Sequence, residues 1–131
     1  MNKFINKRAL QITLYALAAI PVFTGIITLL GIYDPIYKGA GIPDNALLDS
    51  NLRFFGGIWL VLGVALYLQI PKIEENTYVF RLLWIMIFVG GVGRLISMFS
   101  LGMPPWPFIG FTVLEIVGAP LMIMWQNKIK V

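Results

Sequence analysis

Three ionisable residues stand inside apolar stretches of the sequence, where a charge is costly. They are Arg53, Arg94 and Glu115, and Asp49 lies one helical turn before Arg53. A charge in the middle of a membrane helix costs roughly 2.5–3.5 kcal/mol on insertion scales, so such residues usually face protein or water and find partners. Residues of these types pair with one another, bind small polar ligands or carry protons.

The spacing of these residues predicts two ion pairs within one polar cluster. Asp49 and Arg53 stand at i and i+4, which places them on one helix face. At 1.5 Å per residue, Arg53 and Arg94 each lie about 24–25 Å from the inner ends of their stretches, so we expect both at one level. Glu115 lies about 15 Å from the inner end of its own stretch, within reach of a long arginine side chain.

Small and polar residues surround these charges. Gly56 follows Arg53 by three residues, while Gly90 and Gly91 precede Arg94. Small residues let membrane helices approach closely and leave room for a bulky guanidinium. We therefore expect a buried ligand-binding cluster, with both arginines covered by the helices, and its candidate residues are Asp49, Asn51, Arg53, Arg94, Ser97 and Glu115.

The chain contains no cysteine and no histidine, which excludes several kinds of chemistry at once. Thiol nucleophiles, disulfides, thiolate or imidazole metal ligands and histidine acid–base catalysis all need one of these residues. We therefore expect no catalytic residues, no metal and no cofactor, and a chain that is not an enzyme. The net charge of +4 does not indicate nucleic-acid binding, because the basic residues cluster at loops and termini.

Four apolar stretches must position the charged residues. Hydrophobic residues make up 59% of the chain and charged residues 12%. Crossing a hydrocarbon core of about 30 Å takes about 20 helical residues, and each stretch is that long. The sequence predicts an all-α fold, a bundle of four transmembrane helices at about residues 9–32, 44–70, 78–101 and 107–125, in a single integral membrane domain over residues 1–131.

The first stretch argues against two alternatives to a membrane helix. Helices of soluble bundles carry a polar stripe about every 3.6 residues, and the run "ALQITLYALAAIPVFTGIITLLGI" has none. The apolar region of a cleaved signal peptide is about 7–15 residues long, much shorter than this run.

Lysine and arginine lie mostly on one side of the predicted spans. Lys38 is alone on the other side. The positive-inside rule therefore predicts cytoplasmic termini, a cytoplasmic 71–77 loop and outward-facing 33–50 and 102–106 loops. We expect a multi-pass protein of the cell inner (plasma) membrane. The residues on the predicted cytoplasmic side are Lys3, Lys7, Arg8, Lys72, Arg81, Lys128 and Lys130.

Local signals refine the predicted helices. Asp44 after Pro43 resembles a helix start, with Asp44 as the cap of the second helix. Pro21 in the first helix and Pro120 in the fourth each remove a backbone donor, so we expect a kink at both positions.

Two sequence patterns and the glutamate carry a resemblance to a known family. The pattern N-x-R-x-x-G-G begins at Asn51, the pattern G-G-x-x-R ends at Arg94, and Glu115 follows in the fourth stretch. Over about residues 10–126 the chain resembles a bacterial family of small four-helix integral membrane proteins, known only as a domain of unknown function. The resemblance implies the four-helix fold and supports the cluster, but it implies no activity. The size and layout also resemble the DoxX-like membrane proteins.

Several functions remain open at this point. The two ion pairs balance in charge and would suffice as structural contacts between helices. As a site, the cluster would bind an amphiphile, a lipid or a partner protein in the outer-leaflet half of the bilayer, and we favour this hypothesis. The alternatives are a small transporter with Glu115 as the coupling site, or an intramembrane isomerase-like enzyme. The lipid bilayer is the expected surrounding partner, and a homodimer would supply the symmetry that a transporter needs.

Overall fold

Four long helices account for most of residues 2–130, the part of the chain that the computed structural model describes. Helix α1 is Lys3–Thr28, α2 is Ala46–Gln69, α3 is Thr77–Leu101 and α4 is Trp106–Asn127. Each is long and apolar enough to cross a membrane, and residues 2–130 contain no strand. The prediction of an all-α chain with four membrane-spanning helices is confirmed.

The ends of the first two helices differ from the sequence prediction. Helix α1 begins six residues earlier than expected, at Lys3, because polar residues interrupt the apolar pattern before residue 9 without ending the helix. It ends at Thr28, and Gly31 follows with a φ of +65° that favours glycine. Asn45, not Asp44, caps α2, because its side-chain oxygen accepts a hydrogen bond from the Leu48 N–H at 3.1 Å.

The described chain forms two compact units. Residues 12–70 make up the α1–α2 unit, which includes short 3₁₀ turns at Gly31–Tyr33 and Pro35–Tyr37. Residues 2–11 and 71–130 make up the α3–α4 unit, so the first turns of α1 belong with α3 and α4. The six candidate site residues fall three in each unit.

Close helix packing in the α1–α2 unit depends on glycine. A Cβ added at any of three glycines would lie under 3 Å from backbone of the facing helix, so only glycine allows this approach. The closest pairs are Gly25 with Leu60 N at 2.6 Å, Gly63 with Val22 N at 2.8 Å, and Gly56 with Thr28 C at 2.9 Å.

Polar bonds hold one end of the α3–α4 unit. Lys7 Nζ lies 2.7 Å from Glu74 Oε1, which ties the first turns of α1 to the segment before α3. The Trp125 indole N–H donates to Asn6 Oδ1 at 2.8 Å. Four apolar side chains at this end are at most 1% exposed, and they are Leu10, Ile73, Phe80 and Ile129.

Candidate functional site

An ion pair between α3 and α4 is the centre of the α3–α4 unit's polar site. Arg94 Nε lies 3.0 Å from Glu115 Oε2 and 3.2 Å from Oε1, so one N–H is shared between both carboxylate oxygens. The Glu115 side chain is 8% exposed and the Arg94 side chain 37%. The carboxylate is therefore buried, while the guanidinium is only partly covered.

A π-helical turn carries Glu115. Helix α4 is α-helical over Trp106–Val113, π-helical over Leu114–Gly118 and α-helical again over Ala119–Asn127. Pro120 has no N–H, so the carbonyl four residues before it loses its usual donor, and the wider turn lies at this point. Such turns are rare and often occur at functional sites. The irregularity expected at Pro120 thus takes the form of a π turn around Glu115.

Gly91 brings α3 close to the backbone that bears Glu115. A Cβ at Gly91 would lie 2.7 Å from Glu115 Cβ and 3.1 Å from the Ile116 side chain. Real Cβ atoms essentially never come as close as 2.7 Å, so a larger residue would push the helices apart. This approach puts Arg94, three residues further along α3, within bonding distance of Glu115.

The far end of the Arg94 side chain remains open. Its Cζ lies 5.6 Å from the centroid of the Phe108 ring, a cation–π distance. Within residues 2–130, Nη1 and Nη2 have no hydrogen-bond partner, since the bonds of Arg94 run from Nε. Neither Nη is among the buried side-chain atoms that lack a partner. Both terminal nitrogens are therefore accessible donors.

Small residues surround Arg94 on α3. Gly90 and Gly93 are exposed, and a Cβ added at either would meet nothing within 4 Å. Ser97 is also exposed, lies one turn beyond Arg94 and has no side-chain hydrogen bond within the described part of the chain. Gly90, Gly93 and Ser97, together with Arg94, form the open strip of α3, a face with no side chain larger than serine except the arginine itself.

A second ion pair, Asp49 with Arg53 in the α1–α2 unit, also bonds to backbone groups, and we call it the closed pair. Arg53 Nε donates to Asp49 Oδ2 at 2.7 Å, and Arg53 Nη1 donates to the Leu29 carbonyl at 2.8 Å. The other carboxylate oxygen, Asp49 Oδ1, accepts the Ile32 backbone N–H at 3.0 Å. Because the carbonyls at a helix end lack partners within the helix, this pair fastens the end of α1 to the beginning of α2.

The structure therefore forms both predicted ion pairs, each within one unit. This arrangement matches the structural alternative for Asp49 and Arg53, because both oxygens of Asp49 and two of the three side-chain nitrogens of Arg53 are bonded within the α1–α2 unit. The predicted burial of both arginines is wrong, because the Arg53 side chain is 44% and the Arg94 side chain 37% exposed. Long arginine side chains extend away from their helix, so the depth of their Cα overestimates their burial. Asn51 is exposed, with no side-chain hydrogen bond within residues 2–130.

Some functional groups could not be found from residue spacing. The Leu29 carbonyl and Ile32 N–H are backbone groups, and only the glycine at position 31 marks the helix end that exposes them. Phe108 is one of nine phenylalanines in an apolar chain, so nothing distinguishes it before the fold is known. The π turn depends on how α4 packs and has no signal except Pro120.

The α3–α4 site offers hydrogen-bond donors. Two Nη groups carry four N–H bonds in a rigid plane, whereas the Glu115 carboxylate is already occupied by Arg94 Nε. Within residues 2–130 no group of three His, Cys, Asp or Glu side chains is placed to hold a metal ion. The two Nη groups can therefore bind a hydrogen-bond acceptor.

Comparison with known proteins places the chain in a family. Residues 9–126 match the family model described as a domain of unknown function, DUF4345. The chain belongs to the DUF4345 family. Comparisons with curated proteins and with solved structures found no match. The family description gives no activity, so the function of this DUF4345 chain has to be argued from its own site.

Proposed function

We propose that this DUF4345 chain is a non-enzymatic membrane module that binds the polar head of a small amphiphile at Arg94. The ligand head accepts hydrogen bonds from Nη1 and Nη2, and its apolar chain lies along the helices. Glu115 holds the guanidinium in position through Nε and balances its charge. The open strip of α3 provides the space for the head.

The observation that carries this proposal is the pair of accessible Nη groups on a half-buried arginine. A structural ion pair in an apolar setting normally uses the fork of the guanidinium, because two parallel bonds are stronger than one. Here the carboxylate takes only Nε, at 3.0 and 3.2 Å, and the fork remains open. In a bilayer such donors need an acceptor, because an unsatisfied polar group costs several kcal/mol there.

Asp49 and Arg53 are not part of the proposed site. Three bonds within the α1–α2 unit already use Arg53 Nε, Arg53 Nη1 and both oxygens of Asp49. A ligand could reach only Arg53 Nη2 without displacing one of these bonds, whereas Arg94 offers both of its Nη groups. We therefore assign this pair a structural role, which is the alternative that the sequence analysis left open for both ion pairs.

The proposal includes a location for the site. Arg94 lies seven residues before the Leu101 end of α3, about 10 Å along the axis. Lys38 opposes seven basic residues across the predicted spans, so we propose that this end faces outward from the inner (plasma) membrane. The ligand then enters from the outer leaflet.

Cysteine labelling tests this orientation, since the native chain has no cysteine. Lys38→Cys should react with an impermeant thiol reagent in intact cells, while Lys72→Cys should react only after permeabilisation. The opposite labelling pattern would place the site in the inner leaflet and reject this part of the proposal.

Extraction with a mild detergent tests the binding function. We expect an amphiphile to co-purify with the native chain and to be lost from the double variant Arg94→Leu, Glu115→Leu. The matched control is Asp49→Asn, Arg53→Gln, which alters the closed pair and should retain the amphiphile. Equal recovery of the same amphiphiles from all three proteins, measured by mass spectrometry, would reject the proposed site.

The π turn at Glu115 favours a second candidate function, a small transporter with Glu115 as the coupling site. A turn that can change its register would move this carboxylate relative to Arg94. In that case the chain in liposomes should carry protons down a pH gradient, and Glu115→Gln should abolish the flux. Absence of flux above that of empty liposomes would remove this candidate.

A further inference from the structure

The charges at the α3–α4 site restrict the kind of head that can bind there. Arg94 contributes one positive charge and Glu115 one negative charge at a nitrogen-to-oxygen distance of 3.0 Å, so the pair is neutral as a whole. An anionic head next to Nη1 and Nη2 would give the site a net charge of −1. Such an uncompensated charge is expensive in an apolar setting.

From this balance we infer that the ligand head is an uncharged carbonyl group carried on an aliphatic chain. The inference rests on the proposed function and adds its chemical class. A carbonyl oxygen has two lone pairs, accepts from N–H donors and brings no net charge. A cationic head is excluded by the four N–H bonds that the arginine presents, because these donors would face a positive charge.

The surroundings of Arg94 agree with a small planar acceptor. Gly90 and Gly93 leave open space on the face of α3 that bears Arg94, since a Cβ at either position would touch nothing within 4 Å. The Phe108 ring, with its centroid 5.6 Å from Cζ, presents an apolar surface next to the donors. An aliphatic chain attached to a carbonyl that binds Arg94 would meet the Phe108 ring next to it.

Isotope-edited infrared spectroscopy provides the test. The full chain is placed in nanodiscs of a diether phosphatidylcholine, which contributes no carbonyl of its own. The probes are 2-tetradecanone and a glycerol monoester, each with a ¹³C carbonyl, and the competitors are tetradecyl sulfonate and tetradecane at equal mole fraction in the bilayer. The ketone and the ester distinguish a simple carbonyl lipid from a glycerolipid as the source of the group.

We expect a carbonyl band shifted to lower wavenumber with the native chain and with Asp49→Asn, Arg53→Gln. The band should be missing with Arg94→Leu, Glu115→Leu. Tetradecyl sulfonate should displace the probe at least about tenfold less well than unlabelled ketone, which corresponds to about 1.4 kcal/mol. Tetradecane should not displace it.

The possible failures are distinguishable. Displacement by the sulfonate at equal or lower concentration than the ketone would show an anion site, which overturns the carbonyl inference and leaves the proposed function intact. Displacement by tetradecane would show that the head group is not recognised and would overturn the inference as well. No shifted band and no sulfonate binding that depends on Arg94 would overturn both proposals.

Discussion

The two ion pairs of this chain use the same chemistry and leave different groups unused. In the α1–α2 unit, Arg53 bonds to Asp49 and to the Leu29 carbonyl, and Asp49 also accepts the Ile32 N–H. In the α3–α4 unit, Arg94 bonds to Glu115 through Nε alone. The Asp49–Arg53 pair bonds to backbone groups at the end of α1. The Arg94–Glu115 pair leaves Nη1 and Nη2 of the arginine without a partner within residues 2–130.

Exposure does not explain this difference. The Arg53 side chain is 44% exposed and the Arg94 side chain 37%, so both arginines are partly covered. The pairs differ in what stands near the guanidinium. Leu29 offers a backbone carbonyl to Arg53, whereas Arg94 has a phenylalanine ring and exposed glycines beside it. An intramembrane arginine is thus better judged by its unused donors than by its depth.

The largest expected effect comes from a substitution that disrupts the close packing beside the open pair, Arg94 and Glu115. Gly91→Val should lower the free energy of unfolding by about 3 kcal/mol, the upper part of the usual range for overpacking, because Glu115 Cβ would lie 2.7 Å from the new Cβ. Gly90→Val is the control, since that position has open space and should change stability little. The stability of the two variants is compared by thermal melting in detergent. Equal losses of stability in both would contradict the described packing.

A slightly smaller effect is expected when the open pair loses its cation. Arg94→Leu should cost about 2 kcal/mol, less than the 3–5 kcal/mol typical of a fully buried pair, because Arg94 is 37% exposed. Glu115→Leu should cost less, since a partly exposed arginine can reach polar surroundings. The double leucine variant should be close to native stability. Strictly additive losses in a double-mutant cycle would show that the two residues are not partners.

Glycine 31 provides a test of the closed pair. A Cβ at Gly31 would overlap Asp49 Oδ1, and the φ of +65° adds strain for any other residue. Gly41→Ala shares the strain, with a φ of +68°, but has no neighbour within 4 Å, and should cost about 1 kcal/mol. Gly31→Ala should cost more than this control. Equal melting temperatures for the two variants would argue against a closed pair.

The smallest effect is local. Arg53→Gln removes the charged partner of Asp49 and the bond to the Leu29 carbonyl. We expect faster amide hydrogen exchange at Ile32 and its neighbours, with little change in the global melting temperature. Exchange that speeds up equally throughout α1 and α2 would mean that the pair supports the whole unit.

The sequence was sufficient to predict the four helices and the two ion pairs. Four apolar stretches of membrane-spanning length predict four helices, and the structure has them. Asp49 and Arg53 pair because four residues make about one helical turn, and Arg94 finds the one carboxylate within its reach in the fourth stretch. These predictions need only helix geometry and the cost of an unpaired charge.

The sequence was insufficient wherever tertiary detail decides the outcome. A π turn and a helix end at Thr28 depend on packing and on backbone conformation, which side-chain types specify weakly. The position of the Phe108 ring, with its centroid 5.6 Å from Arg94 Cζ, depends on the relative rotation of two helices.

The central claim is that the open pair binds a ligand while the closed pair fastens a helix end. The most direct measurement is the affinity for 2-tetradecanone in diether nanodiscs of the native chain and of two variants. Arg94→Leu with Glu115→Leu should weaken binding by at least about tenfold, and Asp49→Asn with Arg53→Gln should leave it nearly unchanged. Equal affinities in all three proteins, or a greater loss in the second variant, would contradict the claim.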